Sequence, residues 1–177
     1  FSPDQSENYA DFKKLLRPSV IQKRKFRGDS SQEGQVKIDV LHPEKGYPYV
    51  FSIHNDQSLV LRLTYGQIPL LLTGDIEIKA EMEILSTGAI IESQVLKSPH
   101  HGSLSSSSET FLHKVHPHLV LISVGEGNRY GFPAPEVLTK YQEIGAKVYR
   151  TDLHGAIEVS TDGKEISIRT AAEQSNS

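Results

Sequence analysis

The stretch Val95-Leu96-Lys97-Ser98-Pro99-His100-His101-Gly102-Ser103 sets the reading of the whole chain. A short apolar run stops at a proline, and two adjacent histidines, a glycine and a serine follow. The pattern predicts a strand that ends at Lys97 and releases both imidazoles into a loop at its C-terminal edge. Upstream, Leu70-Leu71-Leu72-Thr73-Gly74-Asp75 repeats the arrangement: an apolar strand, a glycine, a carboxylate. Two strands ending in Asp and His are how an α/β protein builds a metal site or an acid–base site at one edge of a sheet.

The totals around these stretches bound what the site can be. At 177 residues the chain is long enough for one domain with a real core. Hydrophobic residues make up 37% and charged residues 23%, and tryptophan is absent, so the core should be mostly Leu, Ile and Val. A net charge of −3 predicts no bulk attraction to nucleic acid; any such binding must come from a local patch or a bound metal. Zero cysteines exclude thiolate ligands, a thiol nucleophile and disulfides. The apolar runs are too short to span a membrane, and no signal peptide is visible. The chain starts with Phe1, which leads us to expect a piece of a longer polypeptide.

Working outward, Glu7 to Leu16 has helical spacing and stops before Pro18. Val20 to Gly28 reads as a basic strand, with Lys23, Arg24, Lys25 and Arg27 as a solvated face or a phosphate contact. Asp29 to Gly34 reads as a turn, and Val36 to Leu41 alternates as a half-buried strand. Ser58–Tyr65 and Ile68–Thr73 form a hairpin around Gly66. Ile76 to Ser86 takes helical periodicity, with Asp75 where a carboxylate would cap it and Gly88 beyond its end. Glu109 to Val115 is a short helix, and Leu119 to Val124 a strand apolar enough to be buried on both faces. Pro135 opens a helix ending before Gly145, Lys147 to Arg150 is a strand, and Gly155–Ser160 with Glu165–Arg169 make a last hairpin. One α/β layer structure follows, with helices over the outer faces. The polar tail, residues 171–177, is expected to be disordered.

Each candidate group has a bland and a chemical reading. Asp75 is a helix cap, or a carboxylate that ligates or bridges divalent metal. His100 and His101 are a locally bonded loop pair, or a site in which one imidazole binds metal or acts as acid while its neighbour contacts substrate. Gly102 would let the backbone approach a ligand. Ser103 and the run Ser105 to Ser108 are a flexible loop, or donors suited to a phosphate. The cluster His113, His116 and His118 lies near a helix end, His42 in a turn, and His54 and His154 in loops. No Gly-rich phosphate loop, Gly-x-Ser-x-Gly elbow or paired-carboxylate pattern is present.

Several stretches occur in an informative order: Ile38-Asp39-Val40-Leu41-His42-Pro43, Asn55 to Leu63, Leu71-Leu72-Thr73-Gly74-Asp75 and Leu96 to Ser103. They continue into Ile122-Ser123-Val124-Gly125, Asn128-Arg129-Tyr130-Gly131, Pro135-Glu136-Val137-Leu138, and Val148 to Asp152 with Gly155-Ala156-Ile157. As an ordered set these resemble the C-terminal metallo-β-lactamase-like domain of the ComEC-type DNA-internalisation competence proteins, over roughly Tyr9 to Ser160. The resemblance implies an αββα sandwich, of which this chain is the distal half, as a partial domain over residues 1–170. It implies a metal-dependent hydrolase, a DNA phosphodiesterase or nuclease acting in DNA uptake. Its cofactor would be two divalent ions (zinc, manganese or iron). Its partners would be DNA (a single strand or phosphodiester), the upstream half of the same domain, and a membrane channel in the parent polypeptide. The parent would sit in the bacterial plasma membrane, with this domain soluble and membrane-associated. Asp75 matches the metal-bridging aspartate, and His100 and His101 match the His-His-Gly-Ser motif. On that match His101 joins Asp75 as a metal ligand, both histidines are catalytic candidates, and Ser103 receives the phosphate.

Two departures stand out. The His-x-His-x-Asp-His motif of the family is absent, which leads us to expect that this chain alone is inactive. Phe132-Pro133-Ala134-Pro135 stands where many relatives carry a late histidine ligand. The rival readings are a free-standing hydrolase of another ester and a degenerate domain that grips DNA without cutting it.

Overall fold

Four neighbouring apolar strands, running parallel, explain why the candidate residues meet. In a computed structural model that describes residues 11–12, 14–17, 23–46 and 55–174, the strands are β1 (Ser30–Glu33), β2 (Val36–His42), β3 (Val60–Tyr65), β4 (Ile68–Leu72), β5 (Val95–Lys97), β6 (Leu119–Ile122) and β7 (Lys147–Arg150). They form one sheet in chain order. The β1–β2, β2–β3 and β3–β4 pairs are antiparallel, and β4 to β7 run parallel. Register across the parallel half sets Leu72 beside Lys97 and Lys97 beside Leu121, so the C-terminal ends of these strands share one edge. In such sheets that edge is where ligands bind.

The parallel connections carry helices α1 (Ile78–Ser86), α2 (Glu109–Val115) and α3 (Pro135–Glu143). All three pack on one face, where Ala80, Ile84, Phe111, Leu112, Val115, Val137 and Tyr141 close over Leu71, Leu96, Val120 and Ile122. The opposite face presents Val95, Leu119 and Tyr149, and a separate antiparallel hairpin packs there, β8 (Ile157–Thr161) with β9 (Ile166–Thr170). The helices cover the outer face of the large sheet, in line with the expected helices over the outer faces. Alternation in β8 and β9 turns Ile157, Val159, Ile166 and Ile168 inward as an apolar sheet face, and these occupy the second side. The class is mixed α/β as expected, and the described layers run α, β, β. The turns of the two hairpins touch: a Cβ added to Gly66 would come within 2.4 Å of the Gly163 carbonyl oxygen.

Several local expectations change. Residues 11–12 and 14–15 are helical, and the rest of the expected N-terminal helix lies outside the described residues. Lys23 to Phe26 carries no regular structure. It is held by Asp29, whose carboxylate accepts from the Phe26 N–H at 2.9 Å. Ser30–Glu33 is an edge strand rather than a turn, because Gly34 (φ +60°) closes a tight hairpin onto β2. Ala171–Gln174 is not disordered but forms a helical turn, α5 in chain order after α4 (Thr151–His154), tied by Ala171 N–H to the Ala156 carbonyl at 3.0 Å. Residues 175–177 lie outside the described part. Among the described residues no helix is long and apolar enough to cross a membrane.

Candidate functional site

The ends of β4 and β5 are stapled to each other before either reaches its functional residue. The Thr73 hydroxyl donates to the Lys97 carbonyl at 2.8 Å, and His100 N–H donates to the Gly74 carbonyl at 3.2 Å. Gly74 has φ +56°, and a Cβ there would meet the Ser58 Cβ at 2.7 Å, so only glycine lets the chain turn so closely under Ser58. The turn frees Asp75. The helix begins at Ile78 with Glu77 as its N-cap residue, so Asp75 is not the cap that the sequence reading allowed. The Glu77 N–H is instead met from outside the helix, by Asp56 Oδ1 at 2.8 Å.

His100 and His101 follow in a tight turn with φ of 45° and 55°, left-handed values that non-glycine residues rarely adopt. Each imidazole has its own carboxylate. Nε2 of His101 lies 3.4 Å from Asp75 Oδ1, while its Nδ1 sits 2.5 Å from the Ser123 carbonyl. A carbonyl only accepts, so Nδ1 carries the proton and Nε2 is left facing Asp75. Nδ1 of His100 lies 3.3 Å from Glu77 Oε1, which also accepts from the Ser105 hydroxyl at 3.1 Å and the Asn55 amide at 3.2 Å. Lys97, at the end of β5, donates to the Ser98 carbonyl at 2.9 Å. Burial pulls its ammonium below the ordinary value, and the nearby Asp75 charge works against that shift.

These groups open on a cavity of about 830 Å³ lined by Asp75, His100, His101, Ser123, Val124, Gly125, Asn128, Tyr130, Phe132 and Thr151. Ser103 is not among them. It is buried at 7% exposure, and its hydroxyl meets the Ser105 hydroxyl at 3.0 Å. Gly102 serves packing rather than ligand approach: a Cβ there would lie 2.6 Å from the Pro133 side chain.

Tyr141 bridges Ser98 (2.8 Å) and Ser107 (2.7 Å) with its hydroxyl, and Glu81 accepts from Ser107 N–H and Ser108 N–H. The serine run is therefore an organised loop, two of whose members are fully buried. The sequence does not single out Glu77, Asn55, Ser123 and Thr151 as site residues, although the last three lie in the stretches that carry the resemblance. Ser105 stands in the serine run suited to a phosphate, and only the sheet edge gathers all five.

The remaining candidates lie elsewhere. His42 is buried in β2, not in a turn, and its Nε2 sits 2.6 Å from the Asp56 carbonyl. Burial lowers its pKa. His116 and His118 are exposed with ring centroids 5.9 Å apart. The His154 ring accepts from Arg150 N–H at 3.1 Å. Arg27 of the basic cluster pairs with Glu44. His54 lies outside the described residues. Among the described residues no three His, Cys, Asp or Glu side chains are placed to hold a metal. Asp75 and His101 supply two donors, fewer than the three protein ligands of a catalytic zinc site, so these residues alone do not fit a metal.

Comparison with known proteins decides the family. No protein-family model matches the chain. It is 38% identical over 132 residues to ComE operon protein 3 of Bacillus subtilis, covering 75% of this chain and 17% of that protein. It is also 41% identical over 105 residues to competence protein ComA of Neisseria gonorrhoeae, covering 59% and 15%. The chain is a ComEC-type sequence. It spans about one sixth of the length of these relatives. A solved structure named as a metal-dependent hydrolase, from Parabacteroides distasonis, matches 83% of the ComEC-type chain and 62% of its own at 15% identity and a TM-score of 0.48. That score is too low to bear on the assignment.

Proposed function

We propose that this chain is the distal part of a ComEC-type hydrolase domain that cleaves DNA phosphodiesters during DNA uptake. The observation that carries the reading is the pairing of each histidine with its own carboxylate at one sheet edge, His100 with Glu77 and His101 with Asp75. The pairs divide the labour. His101, anchored through Nδ1 by the Ser123 carbonyl, turns Nε2 and Asp75 toward the same point and is the candidate ligand. His100, backed by Glu77, is the candidate acid: water adds to phosphorus and gives up one proton to solvent, the P–O bond to the leaving sugar oxygen breaks, that oxygen takes the proton from His100, and His100 regains a proton from solvent. The two divalent ions that the resemblance implies need donors from outside the described residues, so no step here runs through a metal.

The upstream half as partner has its own support. Ile38, Leu61, Leu63 and Leu72 lie on the sheet face that β8 and β9 share, and they are only partly buried by the described residues. A plasma-membrane parent with a DNA channel belongs to the same proposal. One observation favours the non-cutting alternative: Phe132 occupies the cavity wall where the family resemblance implies a histidine ligand.

Sequencing upstream of Phe1 tests the proposed parent: His-x-His-x-Asp-His after several apolar spans supports it, and a start codon directly before Phe1 removes the upstream half and the membrane channel from the proposal. Activity is tested in the polypeptide that includes that motif, by divalent-metal-dependent cleavage of labelled DNA. Asp75→Ala and His100→Ala should each lower the rate on the order of 10²-fold or more. Full activity in both variants would remove this edge from the mechanism, and absence of cleavage in the unaltered protein would favour the gripping role.

A further inference from the structure

Phe132 raises a question that the proposed chemistry leaves open, namely what an aromatic ring does in the wall of this cavity. It does not stand alone. Its ring stacks with Tyr130 at 5.6 Å between centroids and 19° between planes, and His100 meets it edge-on at 5.5 Å. The Arg129 guanidinium lies 4.9 Å from the centre of the Tyr130 ring, and its Nη2 donates to the Tyr130 hydroxyl at 2.7 Å. A continuous run of flat groups, Arg129, Tyr130, Phe132 and His100, thus leads from solvent to the candidate acid. Tyr130 is 63% exposed, so the outer end of the run is open to solvent.

The run is held rigid. The Asn128 side chain clamps the loop by donating to the Phe132 carbonyl at 2.7 Å and accepting from the Phe132 N–H at 3.0 Å. Ala134 N–H donates to the Gly102 carbonyl at 2.9 Å, so the same loop is fastened to the histidine turn.

We infer that this ladder is a stacking platform for an unpaired nucleobase of single-stranded DNA whose phosphate lies at His100 and His101. The inference rests on the phosphodiester reading and adds a base-stacking subsite beside the phosphate, built by Arg129, Tyr130 and Phe132. Flat aromatic and guanidinium faces take any base, whereas paired bases in a duplex keep their faces covered by neighbours. Arg129 adds a positive charge beside the platform in a chain whose net charge of −3 gives no general attraction for DNA. Phe132 offers no metal donor and extends the ladder to His100.

The test uses this 177-residue chain and three labelled probes: a single strand of about eight nucleotides, an abasic strand of equal length, and the duplex. Fluorescence anisotropy should show tighter binding to the base-bearing strand than to the other two. Tyr130→Ala should weaken that binding about tenfold and leave the abasic strand unaffected, while Tyr130→Phe should bind as the parent does. Because Tyr130 is largely exposed, circular dichroism should show both variants folded. Equal affinity for base-bearing and abasic strands, an unchanged affinity in Tyr130→Ala, or a preference for duplex overturns the platform while the phosphodiester reading stands. No binding to any probe overturns the platform too, while the phosphodiester reading is decided by cleavage in the polypeptide that includes the upstream motif.

Discussion

Glu81 shows how a single buried charge can tie several parts of the site together. It is fully buried, accepts from two backbone N–H groups of the serine loop, and lies in the same network as Tyr141. Burial pushes its carboxyl above the ordinary 4.5, while the hydrogen bonds from Ser108 and Ser107 pull the other way. With the folded value above the unfolded one, the folded chain holds this proton longer. The contribution is therefore complete below 4.5 and is lost as pH rises through the raised value. Asp152 has the opposite sign. The Arg150 guanidinium holds it below the ordinary 3.8, so its contribution is present above 3.8 and disappears as pH falls through the depressed value. We expect Glu81→Gln to flatten the melting-temperature profile above pH 4.5 and Asp152→Asn to flatten it below 3.8. Glu81→Gln should also cost about 1–3 kcal/mol, since an amide oxygen accepts at one position where the carboxylate accepts at two. An unchanged slope above 4.5 in Glu81→Gln would show that another group sets it.

At the scale of elements, the histidine turn depends on contacts with segments distant in sequence. Helix α3 supplies Tyr141, whose hydroxyl, pushed up to about 12 by burial, joins Ser98 before the turn to Ser107 after it. The loop before α3 supplies Pro133, which lies against Gly102. Gly102 also has φ +81°, so alanine there meets both a clash and a strained backbone. Gly102→Ala should destabilise by about 1–3 kcal/mol in urea denaturation and shift the His100 and His101 ring signals in NMR spectra. A variant as stable as the parent with unmoved ring signals would mean that the loop is not coupled to the turn. Sequence periodicity found β2, β3, β4, α2, α3 and β7 with small boundary differences. It misplaced Lys23–Phe26 and Ser30–Glu33, where short polar segments take their conformation from a neighbour's hydrogen bonds.

For the whole molecule, the layers show what the chain contains. Three helices close one face of the sheet, and a two-stranded hairpin closes part of the other. With two donors from Asp75 and His101, isothermal calorimetry of this chain should show zinc or manganese binding no tighter than the millimolar range, and chelator should leave its melting temperature unchanged. Micromolar binding that is lost in both Asp75→Asn and His101→Ala would show a third donor, and the two-donor account would fall.

By itself the sequence determined the local pattern: apolar runs for strands, a strand ending in Gly-Asp, a strand ending in Pro-His-His-Gly, and the order of motifs that marks the family. These are short-range signals, set by periodicity and by residues with special backbone freedom. Only the tertiary structure decided which carboxylate faces which histidine, that Ser105 rather than Ser103 reaches His100, and that Gly102 makes room for Pro133. The parallel register of β4 to β7 brings together Glu77, Ser123 and Thr151, and the antiparallel pairing of β3 with β4 adds Asn55 from the segment before β3. Contacts of that span leave no periodic trace, because they arise where strand ends meet rather than along any one of them.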